Sequence, residues 1–392
     1  MFFKYIYCFM MCFAFSQTFQ SRDFFISSEM MEMSARSNAL GKTGMMMDNN
    51  AFWTFTNPAA LSELKDIQIS FTSMMSRYKE HRSIKIHDYF GDYLADASYV
   101  FNDDNYYNNG IALSVPFYLY DNLTFGFSNL PYHNFNYNYV EEVHDASFDL
   151  NKDPLVGYHI EKISGLIYNF SFGMGLKLID NLSIGFSLNQ IHSGGGSFKS
   201  PIIIERIKSV VVLEESNNLA SNESVSDSVI FNLNTTNYLS FGWLMNVKNM
   251  VIALNLKEAI QMTSDNHFKY TIPSKYSFGI MLTPRQKIPA SVVFEYNVQH
   301  YSNLDSIYQN FVELNDKKTF HFGIEYLNNK SPIRVGVVYQ NSPFERDLNE
   351  SIFTFGYGMF LNGVDIDLAA NYSTITYSYP DQFIPNGDIS NP

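Results

Sequence analysis

The sequence predicts an all-β protein: a transmembrane antiparallel β-barrel of about 14 strands with an N-terminal hatch (plug) inside it. Three observations support this prediction. From residue 65 onward, large apolar residues alternate with small or polar ones, which is the period of a β-strand. After the first 16 residues no apolar run is long enough for a membrane-spanning helix. Residues 33–61 are apolar and contain glycine, yet they follow no period.

Residues 1–16 are predicted to be a secretory signal peptide. Lys4 opens a short apolar run, and Ala14-Phe15-Ser16 is a small-x-small cleavage site. Both cysteines, Cys8 and Cys12, lie in this segment. The exported chain would therefore contain no cysteine, and its stability cannot depend on disulfides.

The charge balance argues against two classes of partner. The chain has 26 basic and 39 acidic residues, a net charge of −13. Such a chain is not expected to bind nucleic acid or anionic lipid headgroups. Aromatic residues make up 16% of the sequence, and many stand near the ends of predicted strands, as in the interfacial girdles of membrane barrels.

Residues 17–64 are predicted to form the hatch. Within them, Met33–Leu61 carries two glycines and packs Phe52, Trp53 and Phe55 just before Asn57-Pro58-Ala59. An irregular apolar segment must be buried, because its backbone polar groups need partners. We expect it to plug a barrel formed by residues 65–379, with residues 380–392 as a C-terminal tail.

The strand pattern is clearest in Leu166–Leu178. Its even positions are large and apolar, whereas its odd positions are mostly glycine, serine or asparagine. A soluble sandwich would bury the large face; a membrane barrel would turn it toward lipid and keep the small face in the lumen. The length of the strands, the aromatic residues at their ends and the alternation of tight and long connections favour the barrel.

Thirteen strands are predicted directly from this pattern, over residues 66–78, 109–120, 122–139, 163–178, 181–193, 237–247, 249–260, 273–284, 287–300, 318–328, 331–341, 351–361 and 363–378. Tyr93–Phe101 is a weaker fourteenth, and an even number is the bacterial expectation. If Tyr93–Phe101 crosses the membrane by itself, the tight turns fall outside and the long loops in the periplasm. This is the reverse of the usual arrangement.

Short and long connections alternate along the chain. Tight turns are predicted at Asp121-Asn122, Asp180-Asn181, Lys248-Asn249, Pro284–Lys287, Asn328–Ser331 and Asn362-Gly363. The longest connection, 194–236, contains Ile202–Leu213, for which an extra hairpin arm is predicted.

Together these residues resemble the outer-membrane long-chain fatty acid and aromatic-hydrocarbon transporters of the FadL/TodX type. The likeness covers residues 30–378 and rests on Ala35-Arg36, Ala39-Leu40-Gly41, Asn57-Pro58-Ala59-Ala60-Leu61 and Ile333-Arg334-Val335-Gly336. Two departures are Gly41-Lys42, where the family usually has paired glycines, and the residues after Tyr379, where it usually ends on an aromatic residue.

The resemblance implies a 14-stranded barrel in the outer membrane of a Gram-negative bacterium. It implies passive uptake of a hydrophobic small molecule, a site near the hatch and lateral release into lipid. The predicted ligand-binding and hatch residues are Phe52, Trp53, Phe55, Asn57, Pro58 and Ala59.

An alternative stays open, because the type IX secretion (PorV-type) barrel that binds protein cargo shares the Ser-Ala-Arg…Asn-Pro-Ala start. The oligomeric state is also open, and a monomer is compatible with the sequence.

No enzyme chemistry is predicted, since no His stands near a Ser or carboxylate in a catalytic pattern. His81, His87 and Asp88 have ligand-forming side chains, but a solvated loop is the better interpretation. We therefore predict no metal site and no cofactor.

Three further positions have two readings. Glu295 and Arg334 are predicted to face the lumen, either in structural pairing or in contact with a ligand carboxylate. Pro116 lies inside a predicted strand, where it removes a ladder donor. It marks either an inward kink that opens a lateral gap or a tolerated irregularity.

Overall fold

The computed structural model describes residues 34–47, 50–117, 122–144, 155–193, 201–213, 219–264, 269–284, 289–304, 314–327, 331–343 and 348–376. The predicted signal peptide and tail lie outside these ranges, as do the three glycines that open the connection 194–236. In the hatch, three short helices and a 3-10 helix follow one another: α1 Ala35–Ala39, α2 Gly44–Met47, α3 Trp53–Thr56 and the 3-10 helix Pro58–Glu63. A second 3-10 helix spans Tyr301–Asn303.

The rest of the described chain is β-structure. The strands are β1 Gln68–His87, β2 Tyr93–Pro116, β3 Leu123–Asn134, β4 Tyr137–His144, β5 Leu155–Ser164, β6 Leu166–Ile179, β7 Leu182–Ser193, β8 Ile202–Leu213, β9 Leu219–Phe231, β10 Thr236–Val247, β11 Met250–Lys257, β12 Ile260–Thr263, β13 Lys269–Ile272, β14 Lys275–Leu282, β15 Ala290–Gln299, β16 Lys317–Tyr326, β17 Ile333–Asn341, β18 Asn349–Leu361 and β19 Val364–Ser373.

Thirteen of these strands form the barrel wall within the described residues. They pair antiparallel in the order β1-β2-β3-β6-β7-β10-β11-β14-β15-β16-β17-β18-β19. The hatch contacts this series on all sides. Helix α1 packs on β17 to β19, α2 on β11 and β14, and α3 with the following 3-10 helix on β3, β6, β7 and β10. The wall therefore surrounds the hatch, as predicted.

The large side chains point outward. On β6 the even positions such as Phe170 and Phe172 are exposed, whereas the odd positions such as Asn169 and Ser171 are buried. The same holds on β18, where Phe353 is 62% exposed. Such a large exposed apolar band is costly in water and is favourable against acyl chains. This orientation confirms the membrane barrel and excludes the sandwich.

Tyr93–Phe101 is not a separate strand, and that prediction was wrong. It forms the first part of β2, which runs without interruption to Pro116 and pairs with β1 along almost its whole length. The conflict over the two rims disappears as a result. Strand β1 starts at the rim where the hatch ends, and the described turns Asp180-Asn181, Lys248-Asn249 and Asn362-Gly363 lie at that rim. The other three predicted turns lie wholly or partly outside the described residues.

An arm extends from the long-loop rim. Strand β4 joins the upper part of β2 at Val100–Glu141 and continues through β5, β8 and β9. Strand β8 spans Ile202–Leu213 and pairs with β9, which confirms the predicted hairpin. A second hairpin, β12–β13, extends β11 and β14 at the same rim.

Two predictions about local backbone have different outcomes. The turn Asn362-Gly363 is a two-residue hairpin, since both residues have positive φ and Leu361 pairs with Val364. Pro116, in contrast, is the last residue of β2 and pairs with Thr124. It stands next to a turn and makes no mid-strand kink.

Among the described helices, none has the length and apolar character needed to cross a bilayer.

Candidate functional site: the hatch, its cavity and a seam in the wall

The Asn57-Pro58-Ala59 element ties two helices of the hatch together through its cap. Asn57 precedes the 3-10 helix, and its Oδ1 accepts from Ala59 N at 3.3 Å. Its Nδ2 donates to Met45 O at 3.3 Å. One side chain thus satisfies an N-terminal amide of the 3-10 helix and a carbonyl of α2. Asn57 is fully buried, so its role in this structure is to hold the hatch together.

Glycines on three adjacent strands make room for this element. Gly175, Gly185 and Gly242 lie side by side on β6, β7 and β10; we call them the glycine seat. A β-carbon at position 185 would lie 2.3 Å from Ala59 N, and one at position 242 would lie 2.2 Å from Asn57 Oδ1. Only glycine, which has no side chain, permits so close an approach of the hatch backbone to the strand. The small lumen face predicted from the alternation is thus a docking surface for the hatch.

A second close contact holds the segment after α1. Gly323 and Gly336 pair across β16 and β17, and a β-carbon at position 336 would lie 2.2 Å from Gly41 N. Gly41 N donates to Thr354 Oγ1 at 2.9 Å. The Gly41 carbonyl lies 2.7 Å from His321 Nδ1. The hatch is therefore fixed to the wall at two separate places.

A buried ionic network ties α1 to the barrel. Glu325, 1% exposed, accepts from Arg334 Nε and from Arg36 Nη2, each at 2.8 Å. Arg334 also donates to Asp367 Oδ1 at 2.5 Å. Glu295 does not pair with Arg334; its Oε1 accepts from Met45 N at 3.0 Å. Both lumen residues therefore have structural partners, as expected if they pair within the protein rather than contact a ligand carboxylate.

The predicted aromatic residues separate into two groups. Trp53 packs with Ala59 and neighbouring residues of the 3-10 helix, and its Nε1 donates to Gly44 O at 3.1 Å. Phe52 and Phe55 instead join an apolar cluster that extends toward the long-loop rim through Tyr132 and Tyr238. The structure thus places Trp53 within the hatch, together with Asn57, Pro58 and Ala59. Phe52 and Phe55 lie at its border with the lumen.

A cavity lies beside these residues on the lumen side of the hatch. Hatch residues Gly44, Met45 and Thr56 form part of its wall, and Tyr132 and Tyr238 contribute aromatic surface. Its volume is about 80 Å³, less than the roughly 300 Å³ at which pockets for small molecules begin. A long acyl chain therefore requires side chains to move.

The charged lining of this cavity is mainly basic. Four lysines line it: Lys42, Lys257, Lys275 and Lys317. Two carboxylates, Glu258 and Glu295, also line it, and each accepts a backbone N–H, from Leu239 at 2.8 Å and from Met45 at 3.0 Å. In a chain of net charge −13, this local excess of cations favours an anionic group in the cavity.

The wall has a seam between β2 and the strands that follow it. The β2–β3 ladder ends at Ile111–Asn129, and β2 pairs again only at Val100–Glu141. Between these points the described contacts are made by side chains, as from Asn134 Nδ2 to Asn108 Oδ1 at 3.4 Å. Asn108 Nδ2 and Asn129 Oδ1 are buried without a partner. The ladder is therefore interrupted here, and these two buried polar atoms lack the hydrogen bonds that would compensate for it.

A shift in strand register accompanies the seam. On β3 the pairing with β6 slips between Pro131 and His133. The residue between them, Tyr132, lines the cavity and packs edge-on against Phe55, with ring centroids 6.2 Å apart. The bulge thus brings a residue of β3, one of the strands that border the seam, into the lining of the cavity.

Comparison with solved structures identifies this architecture. A FadL homologue from Pseudomonas aeruginosa superposes with a TM-score of 0.56 at 12% identity, covering 88% of this chain and 90% of that one. The toluene transporter TodX of P. putida gives 0.54 at 13% identity, covering 86% and 91%. The chain has the FadL-type fold. No family model matches the sequence, and no curated protein is significantly similar to it.

Lys42 stands in a strained backbone conformation, at the position where a second glycine was expected from the sequence resemblance. Gly41 and Lys42 both have positive φ, 69° and 61°. A non-glycine residue in this region costs about 1–2 kcal/mol. Lys42 lines the cavity. A strained residue whose side chain reaches a cavity points to a function for that side chain.

Replacing Lys42 by glycine is expected to stabilise the protein. The relief of about 1–2 kcal/mol exceeds the roughly 0.5–1 kcal/mol of chain entropy that glycine adds to the unfolded state. Equilibrium unfolding in guanidinium with vesicle-embedded protein measures the gain.

Lys248 also has positive φ, 55°, but lies in a tight turn far from the cavity. Lys248→Gly is therefore the control: both variants should gain stability, but only Lys42→Gly should weaken anion binding. Equal anion binding in the two variants would contradict the role given to Lys42.

Three site residues were missed by sequence reasoning. Pro131 stands inside a predicted strand, as Pro116 does, and it likewise removes a ladder donor. Lys257 and Tyr132 gave no signal, because they occupy ordinary alternating positions.

His81 and Asp88 have local roles in the hairpin between β1 and β2. His81 contacts Ser98 Oγ at 2.8 Å, and Asp88 Oδ1 accepts from Phe90 N at 2.9 Å.

Proposed function

We propose that the protein is an outer-membrane channel for passive uptake of hydrophobic small molecules, which it releases sideways into the membrane. The seam between β2 and β3 is the single observation that carries the lateral step. Within the described wall, the paired ladder gives way to side-chain contacts there. Tyr132 of β3 lines the cavity, so the cavity lies against one of the two strands that border the seam.

The cavity favours long-chain fatty acids over neutral aromatic hydrocarbons. A fatty acid carries a carboxylate that the four lysines of the lining attract. Its acyl chain fits the apolar cluster of Phe52, Phe55 and Tyr132. TodX is described as a toluene transporter, and toluene has no charge for such a lining to recognise. Uptake of carboxylates is therefore the first activity to measure.

The strand topology sets the proposed orientation. The hatch and the tight turns share one rim, and the arm of β4, β5, β8 and β9 stands at the other. Outer-membrane barrels place short turns in the periplasm and long loops outside. We accordingly assign the arm to the cell surface in a Gram-negative bacterium.

Crosslinking the seam tests lateral release. In a cysteine-free background, Asn108→Cys with Asn134→Cys allows a cleavable bismaleimide to join β2 to β3. Uptake of a labelled fatty acid is expected to fall to the level of cells without the protein, and to return when the linker is cleaved. Cells expressing the unmodified protein should take up the label faster than cells without it; if they do not, the uptake function itself is wrong.

The matched control crosslinks an intact part of the wall. Ser171 and Asn189 are paired inward residues on β6 and β7, with Ser171 Oγ donating to Asn189 Oδ1 at 2.6 Å. The same linker between cysteines there should leave uptake unchanged. Equal inhibition by both linkers would show that any obstacle in the lumen stops passage, and would count against the seam. Stable co-purification of a secreted protein, without fatty-acid uptake, would favour the cargo-binding alternative.

A further inference from the structure

Two aromatic side chains, Phe55 and Tyr132, lie in the apolar cluster that also contains Leu130 of β3 and Val100 of β2, beside the seam. Phe55 projects from α3 and is 3% exposed. Tyr132 stands on β3 at the register shift. Their rings meet at 87°, a T-shaped contact with centroids 6.2 Å apart. This pair therefore links the lining of the cavity to the apolar residues that flank the seam.

A buried cation lies on the other side of Phe55. The Nζ of Lys257, at the end of β11, is 3.6 Å from the Phe55 ring centroid. Lys257 is 7% exposed and lines the cavity. An ammonium over a ring at this distance makes a cation–π interaction, which is strengthened by desolvation. Phe55 is thus held between Lys257 and Tyr132, and the three residues form a continuous chain of contacts from cavity to seam.

We propose that Lys257 and Phe55 form a gate that the anionic head group of the ligand opens. This inference rests on the proposed uptake function and deepens it. A carboxylate in the cavity forms a charge-assisted contact with Lys257, which is stronger than the interaction of an ammonium with a ring. Lys257 then leaves the ring, and Phe55 can turn away from Tyr132. A neutral ligand has no differential affinity for this open arrangement and cannot favour it.

The hatch anchors explain why the gate is a side-chain movement. The backbone that follows Phe55 is fixed by Asn57 against the glycine seat. A displacement of the whole hatch would break these contacts and the ionic network at α1. A rotation of Phe55 breaks neither. The smallest movement that joins cavity and seam is therefore the turning of this one ring.

The test compares a long-chain carboxylate with the primary alcohol of equal length. Both are offered to vesicles that contain the unmodified protein, Lys257→Met or Lys257→Arg. The unmodified protein should prefer the carboxylate by roughly tenfold or more, as expected for one charge-assisted contact. Lys257→Arg retains charge and cation–π character and should keep most of this preference. Lys257→Met should lose it, with alcohol passage equal to or above that of the unmodified protein.

A second variant keeps the inference testable if Lys257→Met folds poorly. Phe55→Leu retains an apolar side chain but removes the ring, so it should also transport both probes with little preference. A direct readout is available, because the chain has two tryptophans, Trp53 and Trp243. With Trp243→Phe, the emission of Trp53 in the hatch should respond to carboxylate and not to alcohol.

The outcomes separate the two proposals. If neither probe crosses with the unmodified protein, the uptake function fails and the gate fails with it. If both probes cross, and Lys257→Met keeps the carboxylate preference of the unmodified protein, the gate is overturned while the uptake function stands.

Discussion

Gly185→Ala is expected to unseat the hatch and to raise the ionic conductance of the channel sharply. The added β-carbon would lie 2.3 Å from both Ala59 N and Pro58 C, and neither backbone atom can turn aside as a side chain could. Overpacking of a filled site costs about 1–3 kcal/mol when neighbours can relax, and more when they cannot. The Asn57-Pro58-Ala59 element must then move away from β7, which leaves a water path along the wall.

Gly173→Ala is the matched control for this prediction. It adds the same methyl group two residues along β6 from the glycine seat. There the closest atom is the Thr54 side-chain carbon Cγ2 at 3.1 Å, which can shift by a few tenths of an ångström. Planar-bilayer conductance and protease cleavage within the hatch measure both variants. If Gly185→Ala and Gly173→Ala have the same conductance and cleavage pattern, close backbone contact does not hold the hatch.

The local features of this protein were predictable from its sequence. The alternation in Leu166–Leu178 identified the outward face, because a strand has only two faces and their composition differs. Ile202–Leu213 was predicted to form an extra hairpin arm, and it is one of the two strands of that hairpin. Asn57-Pro58-Ala59 was recognised as the junction element. Each of these depends on neighbours within a few residues, where the chain itself fixes the geometry.

Features that depend on distant residues could not be predicted. Arg36 meets Glu325 across 289 positions of sequence, and Lys257 meets Phe55 only because the hatch is inside the barrel. Tyr93–Phe101 shows the same limit: its alternation identified a strand but not its continuity with the rest of β2. A two-residue period fixes which face a side chain lies on. It carries no information about which strands the ladder joins or where the ladder is interrupted.

Arg334→Met is expected to destabilise the barrel strongly. It would leave the buried Glu325 with Arg36 alone and would deprive Asp367 of its partner. Removing one member of a buried charge pair costs about 3–5 kcal/mol, because the remaining charge keeps its desolvation penalty. Guanidinium unfolding of vesicle-embedded protein measures the loss. Arg77→Met, which removes an exposed arginine paired with Asp103, is the control and should have little effect.

The double variant Arg334→Met, Glu325→Gln distinguishes the lost charge from lost packing. A neutral glutamine at position 325 no longer needs a cation beside it, and its side-chain oxygen still accepts from Arg36. The double variant should therefore be more stable than Arg334→Met alone, and the cycle completed with Glu325→Gln should give an interaction energy of about 0.5–3 kcal/mol. If it is less stable, the arginine contributes through its contacts rather than its charge.

Arg36→Met completes the set: it removes the hatch end of the network while leaving the Glu325–Arg334–Asp367 pairing in the wall. It should loosen α1 to proteases without lowering the unfolding free energy of the wall by the amount seen for Arg334→Met.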